Sequence, residues 1–178
     1  MRPKGQITDT EPLEKNEYML LLMHLAPHWR LLCELLWELG LRIGEALMLT
    51  RKDFDLANGG LMITSEKRED HLRVFMPVNR ALLIRLYSFA QSHKEEQVFP
   101  FSQSGVWRAL KAAAVKAGIR KSIHAHSFRH GMGFRLRQAG NDIAVVQRVL
   151  RHKQMSSTEH YFKATQSEVD ATLRKVNQ

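Results

Sequence analysis

Leu61-Met-Ile-Thr64 and Leu72-Arg-Val-Phe-Met76, parted by the polar run Ser65-Glu-Lys-Arg-Glu-Asp-His71, decide what kind of fold this chain makes. Each arm is short and carries branched or aromatic residues, while the run between them is polar throughout. The three pieces therefore read as two strands and a hairpin connection. Asp55-Leu-Ala-Asn-Gly-Gly60, just ahead, is turn chemistry. On both sides of the hairpin the texture is helical. Upstream, Asp9-Thr10 followed by Glu11-Pro12 places a capping residue, an acid and a proline in a first turn, predicting a helix to about Leu25 that stops near Pro27. Residues 28–39 continue as a second apolar helix closed by Gly40, and 41–49 as a short third. Downstream, helices are predicted over 79–92, over 104–117 with Gly118 as its stop, and over 127–138 with Gly140 as its stop. Asn141-Asp142 caps another that ends about Leu150. A helical turn over 157–162 and a last helix over 167–176 finish the chain. The fold class is mainly α with a small antiparallel β-sheet, an α+β arrangement.

A chain of 178 residues fits one domain with short appendages: a tail at 1–9, a domain at 10–166 and a C-terminal helix within 167–178. With 44% hydrophobic and 25% charged residues it can bury an ordinary core and is no disordered polycation. Its single cysteine, Cys33, excludes an internal disulfide and a cysteine-based zinc site, which fits a reducing cytoplasm. No apolar run approaches the roughly 20 residues of a membrane span, and residues 1–10 lack the hydrophobic segment of a secretory signal.

Charge is the stronger lead. The chain carries 27 Lys+Arg against 18 Asp+Glu, a net charge of +9. Eleven of the bases fall between Gly105 and Lys153, where Asp142 is the only acid, so that stretch carries +10 and the remainder −1. Those bases are Arg108, Lys111, Lys116, Arg120, Lys121, Arg129, Arg135, Arg137, Arg148, Arg151 and Lys153. Basic charge this localised is the footprint of a polyanion-binding face. No segment pairs it with a long exposed apolar stripe, which argues against a membrane partner.

Six further residues recur through the chain in order: Arg42, Lys67, His126, Arg129, His152 and Tyr161. Each alone is bland. His152 reads as a helix-end cation, Tyr161 as a half-buried aromatic with a wet hydroxyl, Arg42 as a surface charge. Their contexts change that. Arg42 stands in Gly40-Leu-Arg-Ile-Gly-Glu45, and His126-Ser-Phe-Arg-His130 opens a helix ending in Ala139-Gly140. Leu150-Arg-His152 precedes Thr158-Glu-His-Tyr161 by an interval of nine residues from histidine to tyrosine. Lys67 is the only lysine between Lys52 and Lys94 and falls in the hairpin. Taken jointly, from about residue 10 to 170, these boxes resemble the catalytic domain of the tyrosine recombinases, the phage integrase family. Two positions depart from the family pattern. Arg151 stands where glycine is usual, and the hairpin lacks Gly-Lys-Gly around Lys67. A left-handed helix end costs a non-glycine residue about 1 kcal/mol, so a different local geometry is the expectation at Arg151.

The resemblance implies a site-specific DNA recombinase that cuts and rejoins strands through a covalent 3′-phosphotyrosyl intermediate on Tyr161. Such a reaction conserves the bond energy and calls for no cofactor or metal; Glu45, Glu66, Glu69 and Asp70 have no metal-ligand spacing. Arg42 and Arg129 would grip the non-bridging oxygens with planar forks. A phenol of pKa about 10 is only about 0.1% ionised at neutral pH, so Tyr161 needs help to lose its proton, and His126 is the candidate. His152 would donate to a phosphate oxygen, and Lys67 would protonate the departing 5′-oxygen. Glu45 orients these groups without reacting. Arg108, Lys111, Lys116, Arg120, Lys121 and Arg151 are candidates for holding the DNA backbone. Partners implied are double-stranded DNA with a recombination site, a homotetramer on two such sites, and accessory DNA-bending proteins, in the cytoplasm of a bacterium or on its plasmid or phage. The last helix, with Val169, Leu173 and Val176 along one side, either packs on its own domain or docks on a neighbouring subunit. Two other readings compete: a type IB topoisomerase-like nicking and closing activity, and a non-recombining DNA-binding regulator with the same fold.

Overall fold

A computed structural model describes residues 12–65, 73–152, 156–159 and 162. In chain order the elements are α1 (Lys15–Met23), α2 (Pro27–Leu39), α3 (Ile43–Leu47), a 3-10 turn (Arg51–Asp53), β1 (Phe54–Asp55), β2 (Gly60–Thr64), β3 (Arg73–Pro77), α4 (Arg80–Gln91), α5 (Gln103–Lys116), α6 (Ala125–Gln138), α7 (Ile143–Leu150) and α8 (Ser156–Glu159). Two compact units divide the chain, residues 1–132 and 133–178, and α6 runs from the first into the second. The helix predicted over 167–176 lies outside the described residues. No described helix is long and apolar enough to cross a membrane.

The first unit is organised by α2, in which Leu31, Leu32, Cys33, Leu35, Leu36 and Leu39 are all buried. Pro27 occupies its first turn, where a missing N–H costs nothing. Gly40 ends it in the left-handed conformation at φ 59°, with its N–H on the carbonyl of Leu36. Tyr18 of α1 stacks on Trp37 of α2 at 4.2 Å between centroids and meets Phe128 of α6 edge-on at 6.4 Å. One aromatic ring, through two contacts, thus joins three helices.

α1 begins later than Asp9-Thr10 suggests. Glu14 is its N-cap, its N–H donating to Glu17 Oε2 at 2.9 Å. Pro12 and Leu13 are drawn away from helix by tertiary bonds: the Leu13 N–H points to the carbonyl of Ser127, and Lys121 Nζ donates to the carbonyl of Pro12 at 2.6 Å. Leu13 is 2% exposed, so burial favours this route over another helical turn.

The sheet has the order β1-β2-β3, antiparallel throughout. In the hairpin Leu61 faces Met76 and Ile63 faces Val74. Leu61, Ile63 and Met76 are buried, while Met62 and Phe75 pair on the other face. β1 and the 3-10 turn are additions to the sequence reading, since two residues of strand carry no period. Pro77 sits on edge strand β3, where a missing N–H is tolerated. Arg51 donates to the carbonyls of Ala90 at 2.7 Å, Glu95 at 3.0 Å and His93, closing the carboxyl end of α4.

Asp142 is the cap the sequence suggests, while Asn79 and Ser102 cap the helices predicted from 79 and 104. Asn79 Oδ1 accepts from Ala81 N at 3.0 Å, Ser102 Oγ from Gly105 N at 3.1 Å and Asp142 Oδ1 from Val145 N at 2.9 Å. Three helix ends share one closure, in which the left-handed residue bonds three residues back and its successor five back. At α5 these are Gly118 to Val115 and Ile119 to Ala114, and at α6 Gly140 to Arg137 and Asn141 to Leu136. At α7 they are Arg151 to Arg148 at 3.1 Å and His152 to Gln147 at 3.0 Å. Arg151 has φ 54° and ψ 42°, the one non-glycine residue with positive φ among the described residues. The expectation of a different geometry there is thus overturned: the ordinary closure forms, and an arginine bears its strain.

Two stability results are expected. Arg151→Gly relieves the left-handed strain and raises stability by up to about 1 kcal/mol, an increase of a few degrees in Tm by calorimetry. Gly60→Ala drives a methyl group into the carbonyl of Met76 and to 2.6 Å from the Phe75 ring. Overpacking of that kind costs about 1–3 kcal/mol, visible as a lower urea midpoint.

Candidate active site

Arg42 is the N-cap of α3, with extended backbone at φ −70° and ψ 150°. An arginine side chain has no acceptor to cap a helix, so the acceptor is supplied from three residues on. Glu45 Oε2 takes the Arg42 N–H at 2.9 Å, and Glu45 Oε1 takes Nη1 of the guanidinium at 2.8 Å. The Glu45 side chain is 0% exposed and that of Arg42 18%. A carboxylate buried so deeply must be paired, and both of its oxygens grip the same residue. Glu45 thus fixes the backbone and the guanidinium of Arg42 together.

Arg129 lies on α6, three residues after His126. It is 1% exposed, and its Nη1 donates to the carbonyl of Gly40 at 2.8 Å. Gly40 stands two residues before Arg42, so Arg129 is bonded to the connection between α2 and α3 that carries Arg42. The left-handed turn of Gly40 serves both ends of this arrangement. It stops α2, and it presents the carbonyl that Arg129 takes.

The start of α6 repeats the logic of α3. Ser127, fully buried, accepts the N–H of His124 on Oγ at 3.3 Å. Sequence had placed this helix start at Ser127; the structure begins it at Ala125, so His126 is within its first turn. His126 is exposed, and its ring meets His130 edge-on at 4.6 Å and lies 6.5 Å from His124. Burial pushes the His124 ring below its ordinary pKa, keeping it neutral beside the other two. His130 was quoted in the motif without a role; its i, i+4 spacing from His126 was the available signal.

In the second unit, His152 follows the α7 closure, and its Nδ1 lies 2.8 Å from Thr158 Oγ1 on α8. Lys67 and Tyr161 lie outside the described residues.

The basic stretch does not act as one surface. Arg108, Lys111 and Lys116 stand exposed on α5, as does Arg120 after it. Lys111 Nζ sits 5.0 Å above the ring of Trp107, itself 51% exposed. Arg151 is half-buried and its Nη1 donates to the carbonyl of Val149 at 3.2 Å. Lys121 faces inward, paired with Glu17 at 2.6 Å besides its bond to Pro12. Lys121 and Arg129 therefore hold the fold together from within.

Comparison with known proteins bears on this geometry. Residues 11–168 match the model of the phage integrase family. Tyrosine recombinase XerD of Lacticaseibacillus casei is 28% identical over 159 residues, covering 83% of this chain and 54% of that protein. The chain spans about half the length of the curated relatives it matches. Among solved structures, XerA recombinase superposes with a TM-score of 0.76 at 21% identity, covering 94% of this chain and 65% of that one. XerH site-specific recombinase, bound to its difH substrate in a pre-cleavage complex, superposes with a TM-score of 0.73 at 20% identity, covering 91% and 53%. At those identities the superpositions speak for the fold, a helical domain with one small antiparallel sheet. The family match runs over nearly the whole chain, and on it the chain belongs to the phage integrase family, the tyrosine recombinases.

Proposed function

We propose that this chain is the catalytic domain, residues 10–166, of a site-specific recombinase that cleaves and rejoins duplex DNA through a 3′-phosphotyrosyl intermediate on Tyr161. The observation that carries the reading is the bond from Arg129 Nη1 to the Gly40 carbonyl, which draws one candidate arginine to the connection bearing the other, Arg42. Two guanidiniums converging from separate elements suit a phosphorane-like transition state, whose added charge sits on non-bridging oxygens.

In the proposed reaction the phenol oxygen of Tyr161 attacks the scissile phosphorus as its proton passes to His126. The bond from phosphorus to the 5′-oxygen breaks, and Lys67 gives that oxygen a proton. The 3′-phosphate is left as a diester on tyrosine. Attack by the 5′-hydroxyl of another strand reverses each transfer and restores the DNA. Arg42 and Arg129 bind the non-bridging oxygens, and His152 donates a hydrogen bond to one of them. Arg129 is 1% exposed, so in this reading the groups over it move aside when phosphate enters. Glu45 keeps Arg42 aimed during that change, since its grip is on backbone and side chain alike.

Duplex DNA is the proposed partner, held by the exposed bases of α5 and by Arg120, with Arg151 beside His152. Lys121 braces α1 in this reading and leaves phosphates to its neighbours. A homotetramer on two DNA sites, helped by accessory DNA-bending proteins in a bacterial cytoplasm, completes the proposal. The XerH site-specific recombinase structure, a pre-cleavage complex bound to difH substrate, supports this reading of the ligand.

The deciding experiment uses a nicked duplex carrying the inverted repeats read from the DNA beside the gene. Wild-type chain is expected to form a detergent-resistant adduct, and Tyr161→Phe to form none while retaining the duplex in a gel shift. An adduct with the phenylalanine variant refutes the mechanism. Arg129→Ala is expected to slow cleavage by about 10²–10³-fold, with folding monitored by circular dichroism; a wild-type rate removes Arg129 from the site.

A further inference from the structure

His152 is held from several sides within the second unit. Its N–H donates to the carbonyl of Gln147 at 3.0 Å, and its own carbonyl faces Gln147 Nε2 at 3.5 Å. Nδ1 of its ring lies 2.8 Å from Thr158 Oγ1. Thr158 belongs to α8 and is 0% exposed. A hydroxyl shut away from water needs a partner. Helical threonines commonly turn back to a carbonyl of the preceding turn, yet this one meets a ring that follows a different helix. That contact fixes the ring plane and reserves one of its two nitrogens.

We infer that Thr158 is a positioning residue for His152: its hydroxyl donates to Nδ1 of the neutral imidazole, which leaves the hydrogen on Nε2. What Nε2–H then does rests on the recombinase reading, in which it donates to a non-bridging oxygen of the scissile phosphate. A threonine hydroxyl both donates and accepts. When the ring takes a second proton the same contact reverses, Nδ1–H donating to Oγ1, and Nε2 still carries its hydrogen. His152 therefore presents a donor in either protonation state. Valine has the shape of threonine without the hydroxyl, and serine has the hydroxyl without the methyl group. The pair separates hydrogen bonding from packing.

The test uses the whole chain with nitrogen-15 in its histidines, the His152 signals being assigned by their loss in His152→Gln. In neutral solution wild-type His152 is expected to show the tautomer protonated at Nε2, Thr158→Val a mixture of both, and Thr158→Ser the wild-type pattern. A wild-type ring protonated at Nδ1 overturns the inference, and so does a Thr158→Val spectrum identical to wild type. The nicked-duplex assay gives the second readout. Thr158→Val is expected to cleave about 10- to 100-fold more slowly, the scale seen when a metal-bound histidine loses its second partner, with DNA retention unchanged, and Thr158→Ser to recover most of the rate. Equal rates for wild type and Thr158→Val, or a serine variant as slow as the valine one, count against it. Should wild-type chain form no Tyr161 adduct, the recombinase reading falls, while the tautomer measurement still decides the role of Thr158.

Discussion

A guanidinium cannot shed its proton, so an arginine that is 1% exposed must find its partners inside the protein. For Arg129 one of them is the carbonyl of Gly40, and that bond explains much of what surrounds it. A carbonyl is available there because α2 ends abruptly, and α2 ends abruptly because glycine takes the left-handed conformation without strain. The six buried residues of α2 give that end a fixed position, and Tyr18, stacked on Trp37 and edge-on to Phe128, sets the start of α6 beside it. Core packing and the candidate site are in this sense one construction. Moving α2 moves the acceptor, and the acceptor holds the arginine.

The two helix starts nearby use a shared device for different ends. At α3 the residue in the third position is Glu45, and it satisfies the cap N–H while also binding the cap side chain. At α6 the third position is Ser127, which satisfies the cap N–H alone. Charge makes the difference. A carboxylate has a second oxygen for the guanidinium of Arg42, and two buried opposite charges cost less together than either apart.

Short-range signals were legible in the sequence because they have local causes. The cap Asp142, the stops Gly40, Gly118 and Gly140, and the two arms of the hairpin all answer to the next few residues. The boxes around Arg42, His126-Arg129 and His152 were legible as a joint pattern. What escaped depends on distant parts of the chain. The start of α1 shifted because residues 121–127 offer bonds to Pro12 and Leu13. Lys121 and Arg129 counted toward a basic surface by sequence, yet both turn inward to partners 104 or 89 residues away, Glu17 and Gly40. Thr158 stands in the box that ends at Tyr161, but the sequence gives it no role, since nothing local says that its hydroxyl meets the His152 ring. Arg151 was misread for a different reason. Propensity forecast that an arginine would avoid the left-handed region, whereas the hydrogen bonds of the closure outweigh about 1 kcal/mol of strain.

The register of the hairpin has a consequence for reach. Five cross-strand pairs, from Gly60 with Pro77 to Thr64 with Arg73, anchor both arms. Lys67 is three residues beyond Thr64 along the chain. The β2–β3 pairing therefore sets the point at which the chain leaves β2, the tether from which the run holding Lys67 continues. A one-residue slip of the pairing would relocate the tether and turn each inward side chain of the slipped strand outward. Phe75 lies over Gly60, where no larger residue fits, and this is the lock that keeps the tether where it is.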